Sequence, residues 1–139
     1  KHDTAIQAYE EADNSSPSWI WDELKTHDMP LTPLPNNLDI ITLNFNNNEE
    51  IRKDSNKIIA EMDKLGLRPL TYSELLATAI LHPEVNKRNE YFVALGTVHT
   101  FDGAPLVPCL DWGDGERGLR AVRFSGEWLD RDRFPCVRK

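Results

Sequence analysis

The chain has 139 residues, so one domain is the first expectation, and a chain of this length buries enough surface to fold without a metal or a disulfide framework. Its formal net charge is −7, which argues against nucleic acid and against an anionic membrane surface as partners. No apolar run approaches the roughly 18 residues that a membrane-spanning helix needs, so membrane insertion is not expected.

The first 37 residues are predicted to form an extension of helix and loop. Residues 3–13 place alanine, isoleucine and tyrosine partly on one helical face. Three prolines give residues 27–37 an extended, loop-like character. Between these segments a short helix is expected just after Pro17, with its tryptophans packed onto the core, over Trp19, Ile20, Trp21 and Leu24.

The middle of the chain predicts a strand followed by a helix. Leu38–Phe45 is rich in β-branched residues and is the best strand candidate. Three asparagines then offer an N-cap to a helix with Glu49 and Glu50 in its first turn and Gly66 just past its end. The apolar stripe of this helix is Ile51, Ile58, Met62 and Leu65.

A second helix is predicted directly after the first, and it carries the strongest local signal in the chain. Thr71 and Glu74 form a T-x-x-E capping box, in which the hydroxyl accepts a hydrogen bond from a helical N–H and the carboxylate accepts one from the N-cap N–H. Pro83 ends the helix. Its expected buried face is Leu75, Leu76, Ala79 and Ile80.

From Tyr91 onward the pattern becomes that of clustered antiparallel strands. Tyr91–Thr100 is a nearly continuous apolar run, typical of a central strand, and Asp102-Gly103 is typical of a hairpin turn. Leu106–Leu110 is the expected return strand, although its flanking prolines favour an edge or irregular position. The remaining segments are a glycine-containing loop and two strands: Asp111–Gly118, Leu119–Phe124 and Trp128–Val137.

Helices with one strand, followed by several strands, predict a single α+β domain over residues 1–139. Cys109 and Cys136 are expected to be buried thiols, although their places near strand ends would also allow them to pair. Apolar residues expected in the core of the C-terminal half are Val93, Leu95, Val98, Leu106, Val107, Leu119, Val122, Phe124, Phe134 and Val137, with Leu129 as a further candidate.

The last quarter of the chain, residues 109–139, differs in composition from the rest. Between Asp111 and Arg133 there are five arginines and six acids but no asparagine, whereas the first 110 residues carry ten asparagines. Two tryptophans, Trp112 and Trp128, lie among these charges. Arginine beside aromatic residues is typical of a recognition surface. A solvated, salt-bridged sheet face over two core tryptophans is the alternative interpretation.

Signals for catalysis and for metal binding are weak. His99 is a candidate base and Asp130 and Asp132 are candidate acids, but the two aspartates alternate with arginines and are therefore expected to be charge-compensated. The loop DWGDGE places Gly113 where a calcium loop needs an oxygen ligand. The cysteines and histidines fit no zinc spacing. No cofactor and no metal are expected.

Two segments carry a resemblance to known families. Residues 66–77, GLRPLTYSELLA, resemble the G-x-R-L-P-T-E-x-E-W-E-x-A segment of C-type-lectin-like domains of the formylglycine-generating-enzyme type. Residues 93–139 resemble the C-terminal half of variable proteins from diversity-generating retroelements, which close on an R-F-x-x-V-R type terminus, here RFPCVR. The resemblance covers residues 66–139 well, residues 38–65 loosely and residues 1–37 not at all.

The resemblance implies a C-type-lectin-like fold in which two main helices pack on a small, mostly antiparallel twisted sheet with long loops. In that family a reverse transcriptase with adenine-specific errors rewrites the end of the gene, so template asparagine codons become other residues. Errors in the first two positions of AAY codons cannot give Glu, Trp, Lys, Gln or Met. Framework residues are therefore implied at Trp112, Glu116, Glu127 and Trp128. Varied, ligand-binding positions are implied at Asp111, Gly113, Asp114, Arg117, Gly118, Arg120, Arg123, Ser125, Gly126, Asp130, Arg131 and Asp132.

The function implied by the resemblance is that of a non-catalytic protein whose diversified surface, within residues 109–139, binds a protein or cell-surface ligand. The chain lacks the cysteine pair of the formylglycine-generating enzymes and the motifs of calcium-dependent sugar-binding lectins. Two alternatives stay open: a fixed protein–protein adaptor, and a small enzyme of the formylglycine-generating type or another hydrolytic class that uses His99, Asp130 or Asp132. No signal peptide is visible, which leaves both a cytoplasmic and a surface-associated location open.

Overall fold

A computed structural model describes residues 2–11, 18–20, 24, 31–32, 34, 38–82, 90–113 and 116–139. Within these residues the chain has an α+β fold of four helices and one mixed eight-stranded sheet. The helices are α1 (His2–Glu11), α2 (Glu49–Arg52), α3 (Ser55–Lys64) and α4 (Tyr72–Leu81). The strands are β1 (Ser18–Ile20), β2 (Ile41–Leu43), β3 (Leu67–Pro69), β4 (Tyr91–Val93), β5 (His99–Phe101), β6 (Ala104–Gly113), β7 (Glu116–Arg123) and β8 (Asp132–Arg138).

The sheet is built on the long hairpin of β6 and β7. Its strand order is β1-β7-β6-β4-β8-β2, with β3 also beside β8 and β5 also beside β6. The pairs β1·β7 and β4·β8 are parallel, and the other described pairs are antiparallel. The last strand, β8, therefore lies inside the sheet, between β4 and β2.

Alternate residues of the central strands belong to two hydrophobic clusters, one on each face of the sheet. Phe92, Leu110 and Leu119 pack with residues of α1 and α4. Val93 and Cys109 pack with residues of α3. Because side chains alternate along a strand, β4 and β6 contribute to both clusters. Burial on both sides explains why these strands read as continuous apolar runs.

The helix predicted after Leu38–Phe45 is interrupted at Asp54. Asn48 caps α2, and the Asp54 carboxylate then caps α3 by accepting hydrogen bonds from the N–H groups of Asn56 (2.9 Å) and Lys57 (3.3 Å). An N-cap residue adopts an extended backbone, here with φ of −138°, so a strong cap inside a helical stretch divides it. The expected stripe is also shorter than predicted, because Leu65 is 63% exposed.

The capping box predicted at the start of α4 is confirmed. The N–H of Glu74 donates to the hydroxyl of Thr71 (3.3 Å), and the N–H of Thr71 donates to the Glu74 carboxylate (2.9 Å). The guanidinium of Arg68 donates two hydrogen bonds to the same carboxylate, each 2.8 Å long. Burial acts to raise the pKa of Glu74, but these hydrogen bonds outweigh it and hold the pKa below its usual value. Pro83 lies outside the described residues.

The short helix predicted after Pro17 is wrong over Ser18–Ile20, whereas Leu24, the last residue of the prediction, is helical. Ser18–Ile20 forms β1, which pairs in parallel with Arg117–Leu119 of β7. This pairing joins residues almost a hundred positions apart, so local helix signals could not reveal it. Leu24 is buried, and Trp21 lies outside the described residues.

The hairpin predicted at Asp102-Gly103 is confirmed. Both residues have positive φ, 49° and 83°, as a two-residue turn of the primed type requires, and the strands on either side are paired. The strand predicted over Tyr91–Thr100 is interrupted near Gly96. A Cβ atom added at Gly96 would lie 2.5 Å from the carbonyl oxygen of Leu70, so this close passage of two chain segments needs glycine.

The predicted strand over Leu38–Phe45 is shortened to β2. In the C-terminal half, the segment predicted as a loop over Asp111–Gly118 is mostly strand, because β6 and β7 stay paired as far as Gly113 and Glu116. Two residues expected in the core, Val98 and Leu129, are 46% and 50% exposed.

Cys109 and Cys136 are buried free thiols, as expected. None of the helices in the described part of the chain is long and apolar enough to cross a membrane.

We expect Glu74→Gln to lower the free energy of unfolding at pH 7 by about 1–3 kcal/mol, because a charged acceptor of several hydrogen bonds is lost. The folded-state pKa of Glu74 is depressed. Its contribution is therefore present above the unfolded pKa of about 4.3 and disappears as the pH falls through the folded pKa. Urea denaturation across this pH range measures the difference.

The matched control is Glu50→Gln, which removes an exposed carboxylate paired with Lys57. Exposed pairs contribute at most about 1 kcal/mol, and many contribute nothing measurable. A Glu74→Gln deficit that stays constant from neutral to acidic pH would contradict the role given to the charge.

Candidate functional site

The sheet face that packs on α3 changes from apolar to charged along its strands. Val93, Cys109 and Phe134 belong to the apolar part of this face. Side chains two positions apart on a strand share a face, so the next residues on this face are Tyr91 on β4, Asp111 on β6 and Asp132 on β8. The charged end lies beyond the cover of α3, where the polypeptide enters β4 and β8. We call this end of the face the charged platform: Tyr91, Asp111, Arg120, Arg131 and Asp132.

Asp111 and Arg120 form a diagonal ion pair across the β6–β7 hairpin. The distance from Arg120 Nε to Asp111 Oδ2 is 2.8 Å, and the carboxylate is almost buried. The Nε–H is not directed at that oxygen, so the contact is an ion pair rather than an aligned hydrogen bond. Gly118 lies directly opposite Asp111 and has no side chain, which leaves room for Arg120 to lean across. Burial raises the pKa of Asp111, while Arg120 and then Arg131 act to lower it.

Two arginines share the ring of Tyr91. The guanidinium carbon of Arg131 lies 4.1 Å from the ring centroid and that of Arg120 lies 5.3 Å from it. Cations over a tyrosine face are held by the ring quadrupole. Arg131 forms no ion pair with any carboxylate that the structure describes, and its side chain is exposed.

Asp132 fixes the turn that leads into β8. Its carboxylate accepts a hydrogen bond from the N–H of Leu129 (2.7 Å), and its own N–H donates to the Leu129 carbonyl (3.0 Å). Burial raises the pKa of Asp132, and the Leu129 N–H and nearby arginines oppose that shift. Arg133 points away from the charged platform and pairs with Glu90 at 2.9 Å. Arg131 lies before the first residue of β8, so the alternation of side chains along a strand does not apply to it. Arg131 and Arg133 therefore lie on different sides of the sheet.

Trp128 anchors the loop that borders the charged platform. Its ring is buried and meets Phe134 edge-on, with 5.7 Å between centroids. Its Nε1–H donates to the hydroxyl of Ser55 (2.9 Å), which in turn donates to the carbonyl of Phe124 (2.6 Å). Arg52 donates to the Trp128 carbonyl (3.2 Å). The loop between β7 and β8 is thus tied to α2 and α3 by interior contacts.

A shallow cavity of about 200 Å³ opens between this loop and the charged platform. Tyr91, Cys109 and Trp128 are among its lining residues, and Cys109 and Trp128 are buried. Leu129 and Glu127 also line it and are exposed. Burial raises the pKa of the Cys109 thiol to about 12, so this thiol is not a nucleophile at neutral pH.

The positions predicted to vary separate by exposure. Arg123, Ser125, Asp130 and Arg131 are exposed, and Arg120 and Gly126 are partly exposed. Four of the twelve positions are buried: Asp111, Arg117, Gly118 and Asp132. Gly113 ends β6, and Asp114 lies outside the described residues. Among the predicted framework residues, Trp128 is buried, Trp112 is partly buried, and Glu116 and Glu127 are exposed.

Arg117 lies on the opposite face of the sheet and is fully buried. Its guanidinium donates to the carbonyl of Ala79 (2.6 Å) and to the carbonyl of Tyr9 (3.2 Å). These carbonyls belong to the last turns of α4 and α1, where backbone acceptors lack helical partners and a cation is favoured. The guanidinium carbon also lies 4.4 Å from the centroid of the Tyr9 ring. Its alternation with Leu119 and Ala121 was a signal in the sequence for this inward position.

The candidate catalytic residues do not form one constellation. His99 lies on β5 opposite Leu106, where β6 begins, and it meets Phe101 edge-on. Asp132 is level with Tyr91, near the other end of β6, roughly 16 Å away along the strand. Asp130 is exposed in the turn before β8. No group of three or more potential metal ligands occurs among the described residues.

Three comparisons with known proteins found no similarity: no family model, no curated protein and no solved structure matches the chain.

We expect Arg117→Ser to lower the free energy of unfolding by about 2–5 kcal/mol. The substitution leaves two buried carbonyls without their donor and opens a void between α1, α4 and the sheet. The matched control is Arg123→Ser on the same strand, where the side chain is exposed and the expected change is within about 0.5 kcal/mol. Urea denaturation of both variants measures the difference, and equal effects would contradict the helix-capping role.

Proposed function

We propose that the protein is a non-catalytic ligand-binding protein of the diversity-generating retroelement type, whose C-terminal quarter displays a diversified surface. The observation that carries this proposal is spatial. Five of the twelve positions predicted to vary, drawn from β7, β8 and the intervening loop, line one cavity: Arg120, Arg123, Gly126, Arg131 and Asp132. The codon argument that selected them used no spatial information.

The second support is the separation of this surface from the core. The loop between β7 and β8 is held through Trp128, Ser55 and the backbone of Phe124. Arg123 and Arg131 take no part in these hydrogen bonds. Replacing exposed side chains typically changes stability within about 0.5 kcal/mol, so such positions can change while the backbone keeps its place.

We further propose that the α+β fold is of the C-type-lectin-like kind. Two ten-residue helices, α3 and α4, lie in the part of the chain that carries the resemblance, and most described strand pairs are antiparallel. The C-terminal strand β8 pairs with β2 and β3, so the two ends of the resembling region meet in the sheet.

The geometry narrows the set of replaceable positions. Arg117 holds two helices, and we assign it to the framework although its codon could arise by the family's mechanism. Gly118 leaves room for the Arg120–Asp111 pair, and Asp132 fixes a turn, so these buried positions tolerate fewer residues. Arg120 pairs with the nearly buried Asp111, and a Cβ atom added at Gly126 would lie 3.2 Å from the carbonyl oxygen of Arg123, so these two positions are constrained as well. Among the described positions with exposed side chains, the freely replaceable ones are Arg123, Ser125, Asp130 and Arg131.

A fixed protein–protein adaptor would use the same surface with constant residues. An enzyme is the weaker alternative, because His99 is far along the sheet from Asp132 and the Asp132 carboxylate already accepts a backbone hydrogen bond. Sequence variation among sibling genes separates the adaptor from the diversified protein.

We expect the DNA beside this gene to encode a reverse transcriptase and to contain a near-identical repeat of the gene's 3′ end with AAY codons at varied positions. Sibling genes should differ mainly at the four freely replaceable positions. Trp112, Trp128 and Arg117 should be constant. Sequencing the locus in several isolates provides the measurement.

Variation spread evenly over residues 38–139 would support an adaptor instead. A locus without a reverse transcriptase and without a repeat would remove the proposal. The division between framework and replaceable surface would be contradicted by sibling genes that vary at Trp128. Variation at Arg117 without a further substitution in α1 or α4 would contradict it as well.

A further inference from the structure

We propose that the charged platform binds a carboxylate of a protein ligand, an acidic side chain with an apolar neighbour, through Arg131 and Arg120. This inference deepens the proposed function and rests on its placement of the binding surface. It concerns the ligand that the charged platform of this sequence recognises. The proposed mechanism of sequence variation does not determine that ligand.

The aspartates of the charged platform are already engaged. Asp111 is held by Arg120 at 2.8 Å, and Asp132 accepts the Leu129 N–H at 2.7 Å. Both aspartates are buried. The group that reaches solvent from this cluster without an ionic partner among the described residues is the Arg131 guanidinium. Within the charged platform, the exposed group without a described ionic partner is therefore the cation of Arg131.

The orientation of Arg131 suits a carboxylate. Its guanidinium carbon lies 4.1 Å from the centroid of the Tyr91 ring, and its side chain is exposed. A guanidinium held against a ring is restrained before binding and loses less freedom when it forms a fork with a carboxylate. Arg120 lies over the same ring and supplies a second cation beside the first.

The surroundings favour a single negative charge over a double one. Asp111 and Asp132 lie close enough to Arg120 and Arg131 for their charges to interact, and they would repel a phosphate dianion more than a carboxylate. The net charge of −7 opposes an acidic partner only weakly at this range, because physiological salt screens exposed charges beyond about 8 Å.

Two rim residues define the rest of the ligand. Leu129 is 50% exposed and lines the cavity, so it offers an apolar contact beside the arginines. Glu127 lines the cavity as well. The carboxylate is therefore placed at the guanidinium of Arg131, with the apolar neighbour against Leu129.

The probes are three tripeptide amides, acetyl-Leu-Glu-Leu, acetyl-Leu-Gln-Leu and acetyl-Leu-phosphoserine-Leu, titrated into ¹⁵N-labelled protein. The glutamate peptide is expected to bind with a dissociation constant on the order of 1 mM and to shift the amides of Tyr91, Leu129 and Arg131. The glutamine and phosphoserine peptides are expected to bind more weakly. Arg131→Gln should weaken binding of the glutamate peptide about tenfold, since one charge-assisted hydrogen-bonded pair is lost.

Arg138→Gln is the matched control, because Arg138 is exposed at the far end of β8. It should leave the titration unchanged. Equal binding of the glutamate and glutamine peptides, tighter binding of the phosphoserine peptide, shifts elsewhere, or no binding of the glutamate peptide would each overturn the carboxylate assignment. None of these outcomes affects the proposed diversification, which the locus and its siblings decide independently.

Discussion

The fold depends on one buried cation. The Arg117 guanidinium lies where the C-terminal ends of α1 and α4 approach β7, and it donates to a carbonyl of each helix. Buried charges are costly unless they are paired, and here carbonyl dipoles and an aromatic ring take the place that a carboxylate usually has. The N-terminal helix is thereby linked to the hairpin that carries the candidate site.

The hairpin strand β7 serves two purposes through simple alternation. Arg117, Leu119 and Ala121 point toward the helices, whereas Arg120 and Val122 point toward the α3 side of the sheet. The side chains of β7 that contact α1 and α4 therefore lie on one face of the sheet, and Arg120 of the charged platform lies on the other. A displaced register would exchange the two sets, so the eight described pairings of β6 with β7 also determine which arginine is displayed.

Signals that act over a few residues were readable in the sequence. The Thr71–Glu74 capping box and the Asp102-Gly103 turn involve neighbours three positions apart or fewer, and both are present. The α+β class and the buried thiols could also be predicted. Local signals do not predict that Ser18–Ile20 is a strand or that Arg117 is buried. Both features depend on residues far away in the chain. At the site, composition identified the charged region, but only the fold separates engaged charges from available ones.

The parallel pairing of β1 with β7 gives the N-terminal segment a protective role. β7 carries candidate varied residues, and without a neighbour its outer side would present unpaired backbone groups to other molecules. β1 pairs with Arg117–Leu119, so the outer side of β7 is not open to other molecules along these three residues. A segment outside the resembling region therefore protects the part of β7 that begins with Arg117, the residue that holds α1 and α4.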